Sequence, residues 1–207
     1  MDIPIIYEDQ WLLVVDKPSG LLTIPTPKKE KHTLTSILND DFNKGGGVCR
    51  LHPCHRLDRD TSGLVIYAKG KTIQKRMMDE FRRKLVKKTY IAFVKIGKLF
   101  PQGEINSPIE GKPALTRYKI VAKKKDFAIV EAYPETGRTN QIRIHFQRIG
   151  SPILGEDRFA FRRDFKIKAG RLCLHASDLE FRHPVTKKML HLHVGLPESL
   201  QKILRSY

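Results

Sequence analysis

A polar block, His55-Arg56-Leu57-Asp58-Arg59-Asp60-Thr61-Ser62-Gly63, runs straight into the apolar stretch Leu64-Val65-Ile66-Tyr67-Ala68, and this junction constrains the fold more than any other part of the chain. Continuous apolar residues of strand length, rich in β-branching, predict a buried strand. The charged block is then the loop that feeds it, and such a scaffold holds a loop carboxylate rigidly. Read alone, the block has two meanings. Asp58 and Asp60 are either solvated turn residues between Arg56 and Arg59, or one of them is a reactive group.

The rest of the chain predicts an α+β fold. Ile5-Ile6-Tyr7 and Trp11-Leu12-Leu13-Val14-Val15 read as two short strands around a turn, the second ended by Asp16-Lys17-Pro18-Ser19-Gly20. Thr33 precedes apolar residues at helical spacing, so a short capped helix is expected at 33–38, with a flexible loop at Gly45-Gly46-Gly47. From Lys71 to Val86, Ile73, Met77, Phe81 and Leu85 recur every four positions and predict a basic amphipathic helix with a core-packing stripe. Further strands are expected at 90–94, 115–121, 127–133 and around 172–176. The alternation over 115–121 favours antiparallel strands with one wet face over a doubly wound parallel sheet. At 207 residues the chain is expected to be one catalytic domain, 1–207, with room for two lobes.

The 39 Lys and Arg against 22 Asp and Glu give a net charge of +17, which favours a polyanionic partner, nucleic acid first. No apolar run approaches the roughly 20 residues that span a bilayer, so no membrane partner is expected. Three cysteines make no disulfide framework, and Met1-Asp2-Ile3-Pro4 lacks the order of a secretory signal; a cytoplasmic protein is expected. Cys49, His52, Cys54 and His55 crowd into seven residues, unlike the separated pairs of a zinc site, so no metal is expected.

The block at 55–63 resembles the signature His-Arg-Leu-Asp-x-x-Thr-Ser-Gly of the RluA-type pseudouridine synthases. A second block, Thr136-Gly137-Arg138-Thr139-Asn140-Gln141-Ile142-Arg143, is similar to the family's Gly-Arg-Thr-His-Gln-Ile-Arg element, with Asn140 where His is usual. Lys88-Thr89-Tyr90 resembles its Lys-x-Tyr element. Ile149-Gly150-Ser151-Pro152-Ile153-Leu154-Gly155, Arg171-Leu172-Cys173-Leu174-His175-Ala176 and His183-Pro184-Val185-Thr186 carry the likeness to within about twenty residues of the C-terminus. Ser151 stands where His is common, and Glu156 is inserted before Asp157. These departures bear on substrate fit more than on chemistry.

The resemblance implies a mainly antiparallel mixed sheet with flanking helices and a central catalytic cleft, and isomerisation of uridine to pseudouridine in structured ribosomal or transfer RNA. It assigns Asp58 as the catalytic carboxylate, Arg143 as the guanidinium that keeps it ionised, and Tyr90 as the residue at the target base. Arg56 would fill the stack vacated by an extruded uridine, with Arg59 and Arg138 also on the RNA. No cofactor is implied, the enzyme is expected to act as a monomer, and no accessory RNA-binding module is expected before the catalytic domain. Two other readings stay open from the residues alone. An acidic pair in a basic protein also suits N-glycosidic hydrolysis, and the net charge alone suits a non-catalytic RNA-binding protein.

Overall fold

The computed structural model describes residues 2–97, 99–161 and 165–207. In chain order its elements are β1 (Ile5–Glu8), β2 (Leu12–Lys17), α1 (Leu34–Lys44), β3 (Leu51–Pro53), β4 (Ser62–Lys69), α2 (Lys71–Arg82), β5 (Lys87–Lys95), β6 (Gln102–Asn106), β7 (Leu115–Lys123), β8 (Phe127–Pro134), α3 (Gln141–Arg148), β9 (Leu174–Arg182), β10 (Met189–His193) and α4 (Glu198–Ser206). Among the described residues these ten strands and four helices make an α+β protein, and the pairings β1–β2, β2–β4, β3–β4, β9–β10, β5–β8, β7–β8 and β6–β7 are antiparallel. The chain divides into two compact units: Met1–Lys87 with Asp178–Val194, and Lys88–Ser177 with Gly195–Tyr207.

In the first unit the apolar run predicted as a buried strand is β4. It is flanked by β2, in the register Lys17↔Gly63 to Leu12↔Ala68, and by the short β3. Leu64, Ile66 and Ala68 pack with Leu12, Val14, Met77, Val86, Leu179 and Phe181. Burial of such side chains contributes on the order of 1.5–3 kcal/mol each, so the strand behind the polar block is firmly seated. Ahead of it, Thr33 caps α1: its hydroxyl accepts from the Ser36 N–H at 3.2 Å while the Ser36 hydroxyl accepts from the Thr33 N–H at 2.9 Å. Gly45 and Gly46 end that helix through bonds to Asp41 and Asn43 carbonyls at 3.0 and 3.1 Å.

Helix α2 stops a turn earlier than the periodicity suggests. Lys84 takes a left-handed conformation (φ 58°), and the N–H groups of Lys84 and Leu85 turn back to the carbonyls of Phe81 and Glu80, at 3.0 Å each. This is a Schellman closure with lysine where glycine is usual. Met77 is fully buried and Ile73 and Phe81 pack on the same core, but Leu85, past the stop, is 48% exposed.

The second unit is a meander in which β5, β8, β7 and β6 pair in turn. The alternation read at 115–121 is present: Thr116 and Tyr118 are buried while Arg117 and Lys119 face water. Helix α3 lies on the buried face, with the Phe146 ring 5.6 Å from that of Tyr118, and α4 adds Leu200 and Ile203 to the core. Strand β9 begins at Leu174, two residues later than expected. Cys173 instead bridges two segments, donating to the Leu154 carbonyl at 2.9 Å and accepting from the Phe93 N–H at 3.1 Å. Among the described residues no helix is long and apolar enough to cross a membrane.

Candidate active site

Because β2 runs antiparallel to β4, the end of β2 lies beside the beginning of β4, and the segment 17–23 leaves the sheet next to the loop 55–61. The two segments are laced together through the main chain. The Leu57 carbonyl accepts from the Thr23 hydroxyl at 3.0 Å, and its N–H donates to the same oxygen at 3.2 Å. The Arg59 carbonyl accepts from Lys17 Nζ at 3.0 Å and from the Gly20 N–H at 2.9 Å, and the Asp60 carbonyl accepts from the Ser19 hydroxyl at 2.7 Å. Lys17 is 0% exposed and also donates to the carbonyls of Pro18 and Leu21, at 2.9 and 2.7 Å. Gly20 has φ 84°, a left-handed turn that a side chain would strain. The Thr61 N–H bonds the Asp58 carbonyl at 3.2 Å and closes the loop.

The loop backbone is thus fixed from both sides while its charged side chains project from it. Leu57 is buried, Asp58 is half-buried, and Arg56 and Arg59 are exposed. Arg59 Nε donates to the Gly20 carbonyl at 3.1 Å. Of the residues weighed as zinc ligands, Cys54 and His55 have packing roles here. His55 Nε2 accepts from the Ile66 N–H at 3.1 Å, its ring lies 4.9 Å from that of Phe81, and burial pushes the Cys54 thiol up to about 12. Among the described residues no group of three His, Cys, Asp or Glu is arranged to hold a metal ion.

Tyr90, Arg138 and Arg143 belong to the second unit. Asn140 opens α3 in the left-handed region (φ 54°, ψ 22°), which asparagine tolerates better than most residues. Next to it Gln141 is buried and fully bonded. Its amide oxygen accepts from the Thr136 hydroxyl at 2.6 Å and the Arg138 N–H at 3.0 Å, and its nitrogen donates to the Leu115 carbonyl and the Thr116 hydroxyl at 2.9 and 3.0 Å. The chain of bonds continues from Thr116 to His145 Nδ1 at 2.9 Å and from His145 Nε2 to the Ser107 carbonyl at 3.0 Å. Burial lowers the His145 pKa, so the ring is a neutral link, with its proton on the nitrogen that faces a carbonyl.

Arg143, read from sequence as an exposed helix arginine or a catalytic one, is 5% exposed. Its Nε and Nη2 each donate to one oxygen of Glu156 at 2.7 Å, its Nη1 donates to the Asn140 side-chain oxygen at 3.0 Å, and Asp157 lies 3.8 Å from Nη2. The Phe159 ring centroid is 5.3 Å from the guanidinium carbon. Glu156, 3% exposed, holds Arg143 in place, although in sequence it stands out only as an insertion. Burial alone would raise its pKa. The Arg143 bonds outweigh that, with N–H groups of Arg158 and Phe159 adding to them, and hold the carboxyl below the usual range. Glycine is required just before it, because a Cβ on Gly155 would sit 1.9 Å from the Arg171 carbonyl oxygen.

Tyr90 lies opposite Ala132 on β5, half-buried, and packs against the core cluster that contains Ile142 and Phe146, so it shares its support with the helix that carries Arg143. Lys88, two residues before it, is half-buried, and that burial lowers its pKa against the opposing pull of Glu135. Arg138 is exposed, with Nε on the Pro113 carbonyl at 3.1 Å.

Residues 11–148 match the family described as RNA pseudouridylate synthase. The dual-specificity RNA pseudouridine synthase RluA of Pasteurella multocida is 36% identical over 205 residues, spanning 91% of this chain and 90% of that protein. The ribosomal large subunit pseudouridine synthase C of Vibrio vulnificus is 34% identical, spanning 98% of this chain and 68% of that protein. The solved structure of human RNA pseudouridylate synthase domain containing 4 shares the fold, with a TM-score of 0.82 at 24% identity over 98% of this chain and 92% of that one. With the family match reaching from β2 through α3 and relatives of this identity aligned along nearly the whole chain, the chain belongs to the RNA pseudouridylate synthase family, as an isomerase of the RluA type.

Proposed function

We propose that this enzyme isomerises specific uridines in ribosomal or transfer RNA, with Asp58 as the catalytic carboxylate. The substrate classes follow the names of its relatives, a ribosomal large subunit synthase and a dual-specificity RNA synthase. The observation that carries the assignment of Asp58 is the lacing of its loop. Main-chain groups of Leu57, Arg59 and Asp60 are tied to residues 17–23, so the side chain between them is carried on a fixed backbone. Preorganisation of this kind is what a nucleophile requires.

The reaction breaks the bond from C1′ to N1, rotates the base and joins C1′ to C5; N1 gains a proton and C5 loses one. In this reading Asp58 acts as an anion toward C1′ or C6, Arg143 supplies positive charge that favours that anion, and Tyr90 stacks on the base and receives or relays the C5 proton. Extrusion of a paired or stacked uridine costs a few kcal/mol. Arg56, exposed two residues before Asp58, fills the vacated stack with a planar cation, while Arg59 and Arg138 hold phosphates. The two units are lobes of one catalytic domain, 1–207, which works as a cytoplasmic monomer and needs no cofactor.

Asp58→Asn tests the reading. It keeps the shape and removes the anion, so pseudouridine mapped in total RNA should fall by at least about 10³-fold while RNA binding and thermal stability stay as in wild type. Pseudouridine formed at the wild-type rate would reject Asp58 as nucleophile. Free uracil released with an abasic RNA would replace isomerisation by hydrolysis.

A further inference from the structure

Helix α2 carries a cationic stripe that leads to the catalytic loop. Lys71, Lys75 and Arg82 stand at i, i+4 and i+11, on the side of the wheel opposite Ile73 and Met77, and all three are exposed. They span about 16 Å of helix. The direction of the stripe is fixed by bonds and packing inside the first unit. Gln74 Nε2 donates to the Pro53 carbonyl at 2.8 Å, and Phe81 lies against His55, so the helix runs toward the residue three before Asp58, with exposed Arg56 next in line. At the far end Arg50, exposed on the segment entering β3, extends the stripe beyond Lys71.

Two further facts separate this stripe from an ordinary solvated helix face. The only ion pair on it among the described residues is Arg82 with Asp79 at 2.9 Å, both well exposed and therefore worth little; neither Lys71 nor Lys75 has an acidic partner there. The positive field is also felt by a neighbour, since the pKa of His52 is lowered by burial first and then by the charges of Arg50 and Lys71.

We propose that α2 is a docking ledge for the phosphate backbone of the substrate RNA, which lays a helical arm beside the target loop along Lys71, Lys75 and Arg82. The inference rests on the function proposed above. Its chemistry is counterion release from phosphates spaced along a strand, a sequence-independent interaction that gives affinity and register while base recognition is left to the catalytic loop.

The test is the double variant Lys71→Glu/Lys75→Glu, assayed on a long structured RNA substrate. An acid at Lys71 lies in the first helical turn, where the helix dipole favours it, so the substitution should not melt α2; circular dichroism checks this. KM should rise about tenfold with kcat unchanged, and the slope of log affinity against log salt should flatten by about two, one for each phosphate that the variant no longer neutralises. A matched reversal on the other unit, Lys123→Glu/Lys125→Glu, controls for net charge and should raise KM far less. Wild-type KM and salt slope in the α2 variant would overturn the ledge, as would an equal effect from the control. Either result leaves the function intact provided wild-type enzyme makes pseudouridine; if wild-type enzyme makes none in any RNA, the function itself fails.

Discussion

The loop that carries Asp58 is fixed through the main chain of its neighbours, whereas Arg143 is gripped at its guanidinium by Glu156 and Asn140. In the first unit the clamp is built from carbonyls and hydroxyls of residues 17–23 and 57–61, with the Lys17 ammonium and the Arg59 guanidinium among its donors. In the second, a buried carboxylate and an amide oxygen grip the guanidinium directly. The first arrangement fixes the loop mainly through main-chain carbonyls and N–H groups. The second gives geometric precision through a bidentate pair, but it makes the position of the cation depend on the ionisation of Glu156.

The largest effect that separates the two clamps is Glu156→Gln. It takes the bidentate carboxylate away from a buried guanidinium, with Asp157 still 3.8 Å from Nη2, and breaking such a buried pair costs about 3–5 kcal/mol, or roughly 10 °C in Tm for a chain of this size. Because the folded pKa of Glu156 is depressed, its contribution is fully present above the unfolded value, near 4.3, and is lost as pH falls through the lower folded value. The stability gap between wild type and variant should therefore be constant above about pH 5 and close in more acidic solution. A gap that persists unchanged at pH 3 would show that the carboxylate does not hold Arg143 by charge.

This asymmetry also explains what was legible in the sequence. The capped helix at Thr33, the buried strand after the polar block and the wet-and-dry alternation of β7 are local patterns, and they fold as read. The overrun at Leu85 came from a periodicity that continues after the backbone has turned at Lys84. Strands β3, β6 and β10 and helix α4 went unread: the strands bury few side chains, and α4 shows only Leu200, Ile203 and Leu204 at helical spacing after Pro197. Asp58, Tyr90 and Arg143 were visible because motifs carry them. Glu156 was not, since it meets Arg143 across 13 residues and a loop. Lys17 looked like one more turn residue, although a lysine closing the run Leu12–Val15 and entering a Pro-Gly turn was the available signal.

Lys17→Met probes the first clamp. The methionine fills much of the volume but leaves the carbonyls of Pro18, Leu21 and Arg59 without the ammonium donor. Each orphaned buried acceptor costs about 1–3 kcal/mol, part of which local relaxation recovers, so a net loss of about 2–3 kcal/mol is expected. Because the Asp58 loop loosens rather than loses its chemistry, kcat should fall more than KM rises. A variant with normal kcat would mean that Thr23 and Ser19 suffice to fix the loop.

Asn140 offers the smallest and most discriminating change, since it serves both the backbone and the guanidinium. Asn140→Gly keeps the left-handed turn and removes the acceptor, so its cost should be only about 1 kcal/mol. Histidine, the residue usual here in the resembling family, is also tolerated in this backbone region, and when neutral its ring nitrogen can accept from Arg143 Nη1. When protonated it cannot, and it places a second cation against a buried one. Asn140→His should match wild-type activity at pH 8 and fall behind as pH drops through about 6.5. The asparagine enzyme gains no such dependence from this position, because an amide does not titrate. If Asn140→His tracks wild type down to pH 5.5, the side chain of residue 140 does not orient the guanidinium.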